Sequence, residues 1–157
     1  MFRKFLIVGV AGALVLVGSG LTIAMAGNNI TTPETVVLTE TSLKGRSIDV
    51  GKPGFGPGDS FVFVDSLTDP ADGSRVGTVR GQCTLQIGQW QTCQVGGFID
   101  GRGEIFVSGV APNTDQPVAQ DYAITGGTGE FENVRGSVHI EPTSNHNVQT
   151  TTLTLIP

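Results

Sequence analysis

Asp65 is the carboxylate with the least ordinary setting in the sequence. It stands in Asp59-Ser60-Phe61-Val62-Phe63-Val64-Asp65-Ser66-Leu67, where a period of two places it on the same face as Phe61 and Phe63. If that face lines a cavity, the carboxylate is partly desolvated, its pKa rises, and it suits proton transfer. A strand-end position at a rim, with Asp59 and Asp69 nearby, is the plainer alternative. His139, between Val138 and Ile140, could act as acid or base, or be a solvated strand histidine. Asp100, Arg102 and Glu104 crowd one turn and read as solvated charges. Trp90, also at a turn, is either an exposed binding aromatic or a residue folded onto the mouth of the domain. The chain has two histidines and two cysteines and no Gly-x-Ser-x-Gly motif, so no nucleophilic triad can be assembled. Two cysteines with His139 and His146 far along the chain make no metal site, and no cofactor is expected.

Cys83 and Cys93 have Gly88 midway between them. A hairpin centred there sets them opposite each other, and in an oxidising compartment they form a disulfide. A reactive thiol requires the pair to be reduced.

The stretch Ala123-Ile124-Thr125-Gly126-Gly127-Thr128-Gly129-Glu130-Phe131-Glu132-Asn133-Val134-Arg135-Gly136 could be a phosphate-cradling loop or a sharp structural corner. No Lys-Ser or Lys-Thr comes after the glycines, and Val138-His139-Ile140-Glu141 beyond them alternates as a strand, not a helix. A corner between two strands is the better account, with Arg135 tying it down through backbone carbonyls.

The elements that must hold these residues begin after a leader. Arg3 and Lys4 precede a nearly unbroken apolar run from Phe5 to Val17, and Ala24-Met25-Ala26 is a small-x-small cleavage site. Residues 1–26 thus read as a secretory signal peptide cleaved after Ala26, with an uncleaved membrane anchor as the alternative. Removing 26 of the 157 residues leaves 131, enough for one core, and takes the formal charge from −5 to −7. An acidic secreted (extracellular) protein with scattered charges is a poor partner for nucleic acid or anionic membranes.

Residues 27–34 read as a flexible arm. Eight strand-like runs come after it, at 35–42, 59–67, 75–87, 91–99, 103–109, 119–125, 131–141 and 147–156, separated by turn-forming segments such as Asp69-Pro70-Ala71-Asp72-Gly73 and Pro112-Asn113-Thr114-Asp115. No run shows capped helical periodicity. The fold class is all-β, and closure into a barrel over 35–157 removes the edges that eight strands would expose. The second run is apolar on both faces. Its outer face packs either on another subunit or under the loop Gly51–Gly58.

Four segments together resemble the allene oxide cyclase barrel family and the related dirigent proteins. They are Gly58-Asp59-Ser60-Phe61-Val62-Phe63, Arg75-Val76-Gly77-Thr78 with Gly81-Gln82-Cys83, Gly103-Glu104-Ile105-Phe106-Val107-Ser108-Gly109, and the glycine corner from Ala123 to Phe131. The resemblance implies an eight-stranded antiparallel, calycin-like barrel with a central cavity, and homotrimers as in the plant members. It also implies cofactor-free cyclisation (an isomerase) or guided coupling of a small hydrophobic molecule. Matched to the family's positions, the second-strand phenylalanine and asparagine fall on Phe63 and Asp65, and the cysteine on Cys83. The first-strand glutamate and asparagine fall on Thr39 and Thr41, the serine on Ser47, and the tyrosine on Ala111. Phe61, Phe63, Thr39, Thr41 and Ser47 are therefore expected to bind ligand, with Asp65 as the catalytic candidate. The acid and phenol of the cyclases are lost unless Glu40 or Tyr122 takes over in a shifted register. A lipocalin-like carrier and a purely structural secreted protein are the other readings. A buried Asp beside aromatics favours chemistry, an all-apolar lining favours carriage, and a filled interior favours structure alone.

Overall fold

The computed structural model describes residues 30, 32–114 and 116–157. The leader at 1–26 and its cleavage site lie outside the described residues, as do positions 27–29 of the arm. Among the described residues no helix is long and apolar enough to cross a membrane.

Eight strands form a closed antiparallel barrel: β1 (Glu34–Ile48), β2 (Ser60–Thr68), β3 (Arg75–Gln86), β4 (Trp90–Ile99), β5 (Gly103–Pro112), β6 (Gln120–Gly127), β7 (Arg135–Pro142) and β8 (Val148–Ile156). Each strand pairs with its neighbours in sequence, and β8 closes onto β1 with Glu34 opposite Leu155. Closure leaves no open edge, so backbone donors and acceptors are met within the sheet.

Several boundaries differ from the sequence expectation; β5, for one, runs to Pro112 instead of Gly109, because Val110–Pro112 pair with Thr92–Trp90 of β4. β1 runs to Ile48 instead of stopping at Ser42, because its polar extension Lys44–Ile48 pairs with Val64–Ser60 of β2. A bulge at Leu43 separates this extension from the rest of the strand. The seventh strand begins at Arg135, not at Phe131. Residues Gly129–Phe131 form a short 3-10 turn, and Asn133 takes a left-handed conformation with φ of 67°.

The barrel ends are unlike. The corner between β6 and β7 folds across one of them: Thr128 N–H donates to the Glu104 carbonyl and Glu130 N–H to the Arg102 carbonyl, both at 2.8 Å. Phe131 and Val134 are driven fully into the core there, beside Ile105 and Leu155. Arg102, expected to be merely solvated, lies 5.0 Å over the Phe131 ring and pairs with Glu130 at 2.7 Å. Arg135 donates to the carbonyls of Asn133 and Val134, which ties the corner down as its sequence setting suggests. Ile30 of the N-terminal arm is also held here, through its N–H to the Glu130 carbonyl.

The opposite end carries the β1–β2, β3–β4, β5–β6 and β7–β8 connections. Asp59, buried just before β2, accepts from Val50 N–H and Gly56 N–H at 2.7 Å each, and Asp49 accepts from Gly54 N–H at 3.0 Å, so two carboxylates organise the glycine-rich β1–β2 loop. The interior is plugged at the corner end and hollow toward this one.

Candidate functional site

A cavity of about 280 Å³ occupies the hollow half of the barrel and reaches the β5–β6 and β7–β8 loops. Its wall is mostly apolar, with Phe63, Leu67, Val79, Val95, Val107 and Leu153 among the lining residues. Two rings enter it over glycines. A Cβ on Gly81 would lie 2.6 Å from Phe63 Cζ, and one on Gly109 would lie 2.9 Å from Tyr122 Cδ1. Those strand glycines give the rings their space.

Polar groups of the wall come from several strands and from the loops at the mouth, and Glu40 is the acid among them. Glu40 on β1 is 4% exposed, and Thr151 Oγ1 on β8 donates to its Oε2 at 2.6 Å. Burial pushes the Glu40 carboxyl up to about 7. Hydrogen bonds from Thr151 and Gln149 oppose the rise, while the neighbouring Asp65 adds to it, by its charge and by accepting a hydrogen bond from the neutral acid. Asp65 itself is 7% exposed, and its Oδ1 has no donor among the described residues. Glu40 lines the cavity, and Asp65 lies buried beside it, outside the lining.

Tyr122 on β6 is buried. Its hydroxyl donates to Gln120 Oε1 and lies 3.6 Å from Cys93 Sγ. Burial raises its pKa and a hydrogen bond with Gln91 lowers it, for a net rise that keeps the phenol neutral as a donor. Cys83 and Cys93 are opposite each other in the β3–β4 register and are joined by a disulfide that forms part of the cavity wall.

The sequence-derived residues divide accordingly. Phe63 lines the cavity, and Asp65 lies buried against Glu40. Phe61 does not line it: 41% exposed, it covers Gly45 and stacks on Phe63 with ring centroids 6.0 Å apart. Thr39 and Thr41 do not line it either. Leu38 and Glu40 take the inward positions of β1, so the alternating threonines face outward, where their carbonyls accept from Thr68 and Ser66. Ser47 sits in the exposed extension of β1, opposite Phe61. Ala111 is buried beside Gln91, and the phenol near it comes from Tyr122 on the next strand.

His139 is outside the barrel, held by Asp121 at 2.9 Å and Glu141 at 3.3 Å, and these acids, Asp121 first, raise its pKa. Gln149, Thr151, Gln91 and Gln120 went unread as site residues. Their only signal is a polar residue at inward phase, as in Gln149-Thr150-Thr151-Thr152-Leu153. His146 reaches the mouth of the cavity. Among the described residues no cluster of three or more His, Cys, Asp or Glu could hold a metal ion.

The solved structure of a pyocyanin demethylase is 30% identical to this chain, which covers all of that protein with 78% of its own length at a TM-score of 0.67. A pterocarpan synthase dirigent protein is 18% identical, with 79% of this chain and 87% of that one covered at a TM-score of 0.60. The chain belongs to the family of the pyocyanin demethylase, and its fold is the allene oxide cyclase-like and dirigent-like barrel. This family barrel also superimposes on a Diels-Alderase from Streptomyces koyangensis, at 20% identity and a TM-score of 0.60 over 99% of this chain and 84% of that one. No family model matches the chain, and no curated sequence does. Within the family barrel, the inward acid of β1 is Glu40 and the inward phenol is Tyr122, both one strand position or one strand away from where the sequence match placed them.

Proposed function

We propose that the barrel binds a small hydrophobic molecule in its cavity and steers a cyclisation or coupling of that molecule without a cofactor. The observation that carries this is Glu40, buried in the wall of a mostly apolar cavity with room for a ligand and with Asp65 beside it. A structural protein has no use for such a cavity, and a simple carrier gains nothing from an ionisable group whose burial is costly. The apolar walls would fix the conformation of the substrate. Glu40, titrating near neutrality, would give or take a proton at the reacting atom, and the Tyr122 phenol would donate to a developing negative charge. The neighbours' names, a Diels-Alderase and a pterocarpan synthase dirigent protein, agree with chemistry of this kind. Secretion belongs to the same proposal, and the Cys83–Cys93 bond supports it.

The test uses 5-nitrobenzisoxazole, a flat apolar substrate that opens when a carboxylate removes its ring C–H proton and the N–O bond breaks. Turnover should rise with pH through about 7, as Glu40 ionises, and should vanish in Glu40→Gln. Binding of 1-methylnaphthalene should persist in that variant. Unchanged turnover in Glu40→Gln, with binding intact, would remove the proposed role of Glu40. Loss of 1-methylnaphthalene binding by the parent would remove the ligand cavity.

A further inference from the structure

We infer that Leu38, Ile99 and Leu153 form a floor that limits how long a ligand the cavity takes, and that this floor divides the cavity from a second hollow at the corner end of the barrel. The inference rests on the reading of the cavity as a ligand site. It adds the class of molecule that fits: compact, ring-sized apolar molecules, not extended chains.

The three residues line the cavity on one side and a second hollow of about 340 Å³ on the other. All three are buried. Leu38 and Leu153 come from the neighbouring strands β1 and β8, and Ile99 comes from β4, across the barrel from β8. Their side chains therefore reach inward from opposite walls. Beyond them, Val36, Val76, Leu155 and Phe131 give the second hollow an apolar wall. The arginines at its rim are already paired with acids, Arg75 with Asp100 at 3.2 Å and Arg102 with Glu130 at 2.7 Å.

Protein interiors are ordinarily packed without gaps of this size. Here one layer of side chains has space on both faces and forgoes contacts on both. It acts as a partition, not as a filled core. Branched aliphatic groups stop a ligand by bulk alone and offer no polar atom to hold it. An alkyl chain that reaches the floor must leave the rest of its length at the mouth, in water. Each methylene buried above the floor adds about fourfold to affinity, and each one left at the mouth adds almost nothing.

The experiment is calorimetric titration with straight-chain alcohols from butanol to dodecanol. Affinity for the parent protein should rise with chain length and then level off at the length that fills the cavity. In Leu153→Ala, which opens the floor, the break should move out by about three methylenes or more. Leu67→Ala removes the same carbons from a wall that borders the cavity but not the second hollow, and should move the break by no more than about one methylene. Adding Val76→Phe to Leu153→Ala fills the second hollow and should restore the parent's break. If Leu153→Ala folds poorly, the parent series and the smaller change Ile99→Val carry the test, the latter moving the break by about one methylene. An unbroken rise through dodecanol in the parent, or equal shifts in Leu153→Ala and Leu67→Ala, would overturn the floor and leave the ligand cavity standing. If no alcohol binds the parent, the cavity reading falls and the floor falls with it.

Discussion

Glu40 and Asp65 meet inside the barrel as diagonal neighbours across β1 and β2: Glu40 stands opposite Leu67 and Asp65 opposite Ser42. Because Leu67 and Asp65 are two residues apart, both point to the face that Glu40 occupies. The pair forms just before the bulge at Leu43, beyond which β1 runs on as an exposed extension. Two acids on adjacent strands are normally spread to opposite faces or to solvent. Here the register turns both inward, and burial leaves Glu40 holding its proton near neutral pH.

That pairing has a cost that depends on pH. Glu40 is raised from an ordinary 4.5 to about 7, so folding takes up a proton between those values. Stability from this group is complete below about 4.5 and is lost as pH rises through about 7, an effect on the order of 3 kcal/mol. Glu40→Gln has no charge to bury. It should be more stable than the parent by roughly 1–3 kcal/mol at pH 8 and near-equal to it at pH 4. Urea unfolding midpoints at the two pH values check this, and a gap independent of pH would contradict it.

The plugged end of the barrel depends on close backbone approach at the corner. A Cβ on Gly127 would lie 2.5 Å from the Glu104 carbonyl oxygen and 2.7 Å from Phe131. Neither neighbour can yield without moving β5 or expelling the core phenylalanine. Gly127→Ala should cost about 3 kcal/mol or more. Gly56→Ala, in open space at an ordinary φ, should stay within about 0.5 kcal/mol of the parent. Equal thermal midpoints for the two variants would refute the account of the corner.

Assembly into a homotrimer is a further proposal, supported by the exposed Phe98 and Phe106, which flank Gly96 on the outer wall. Phe98→Glu with Phe106→Glu should convert the assembly to monomers in native mass spectra without unfolding it. A monomeric parent protein would end the proposal.

The eight strands, the closed barrel and the Cys83–Cys93 bond were all legible, because alternation, turn-forming residues and a central Gly88 are local signals. The inward phase of β1 was not. Thr39 and Thr41 match the family's polar positions, and a slip of one residue exchanges them for Leu38 and Glu40. Both phases of Thr35–Ser42 mix polar and apolar residues, so composition alone did not choose between them. The same ambiguity hid Thr151 and Gln149 in a strand where threonine occupies both faces. Phe61 and Ser47 were misplaced because the length of β1 is set by pairing with β2, not by its own residues. Asp65 was recognised as a carboxylate among aromatics, but its neighbour Glu40 is brought to it only by the closed fold.

The central claim is that burial in the wall of a ligand cavity keeps the Glu40 carboxyl protonated to near neutral pH. Carboxyl-carbon NMR of protein labelled at Glu, titrated across about pH 3 to 9, measures it directly. Glu40 should titrate near 7 in the parent protein and fall only part of the way to its ordinary value in Asp65→Asn, because burial is the larger cause and Asp65 the smaller. A Glu40 that titrates near 4.5 in the parent protein would contradict the account.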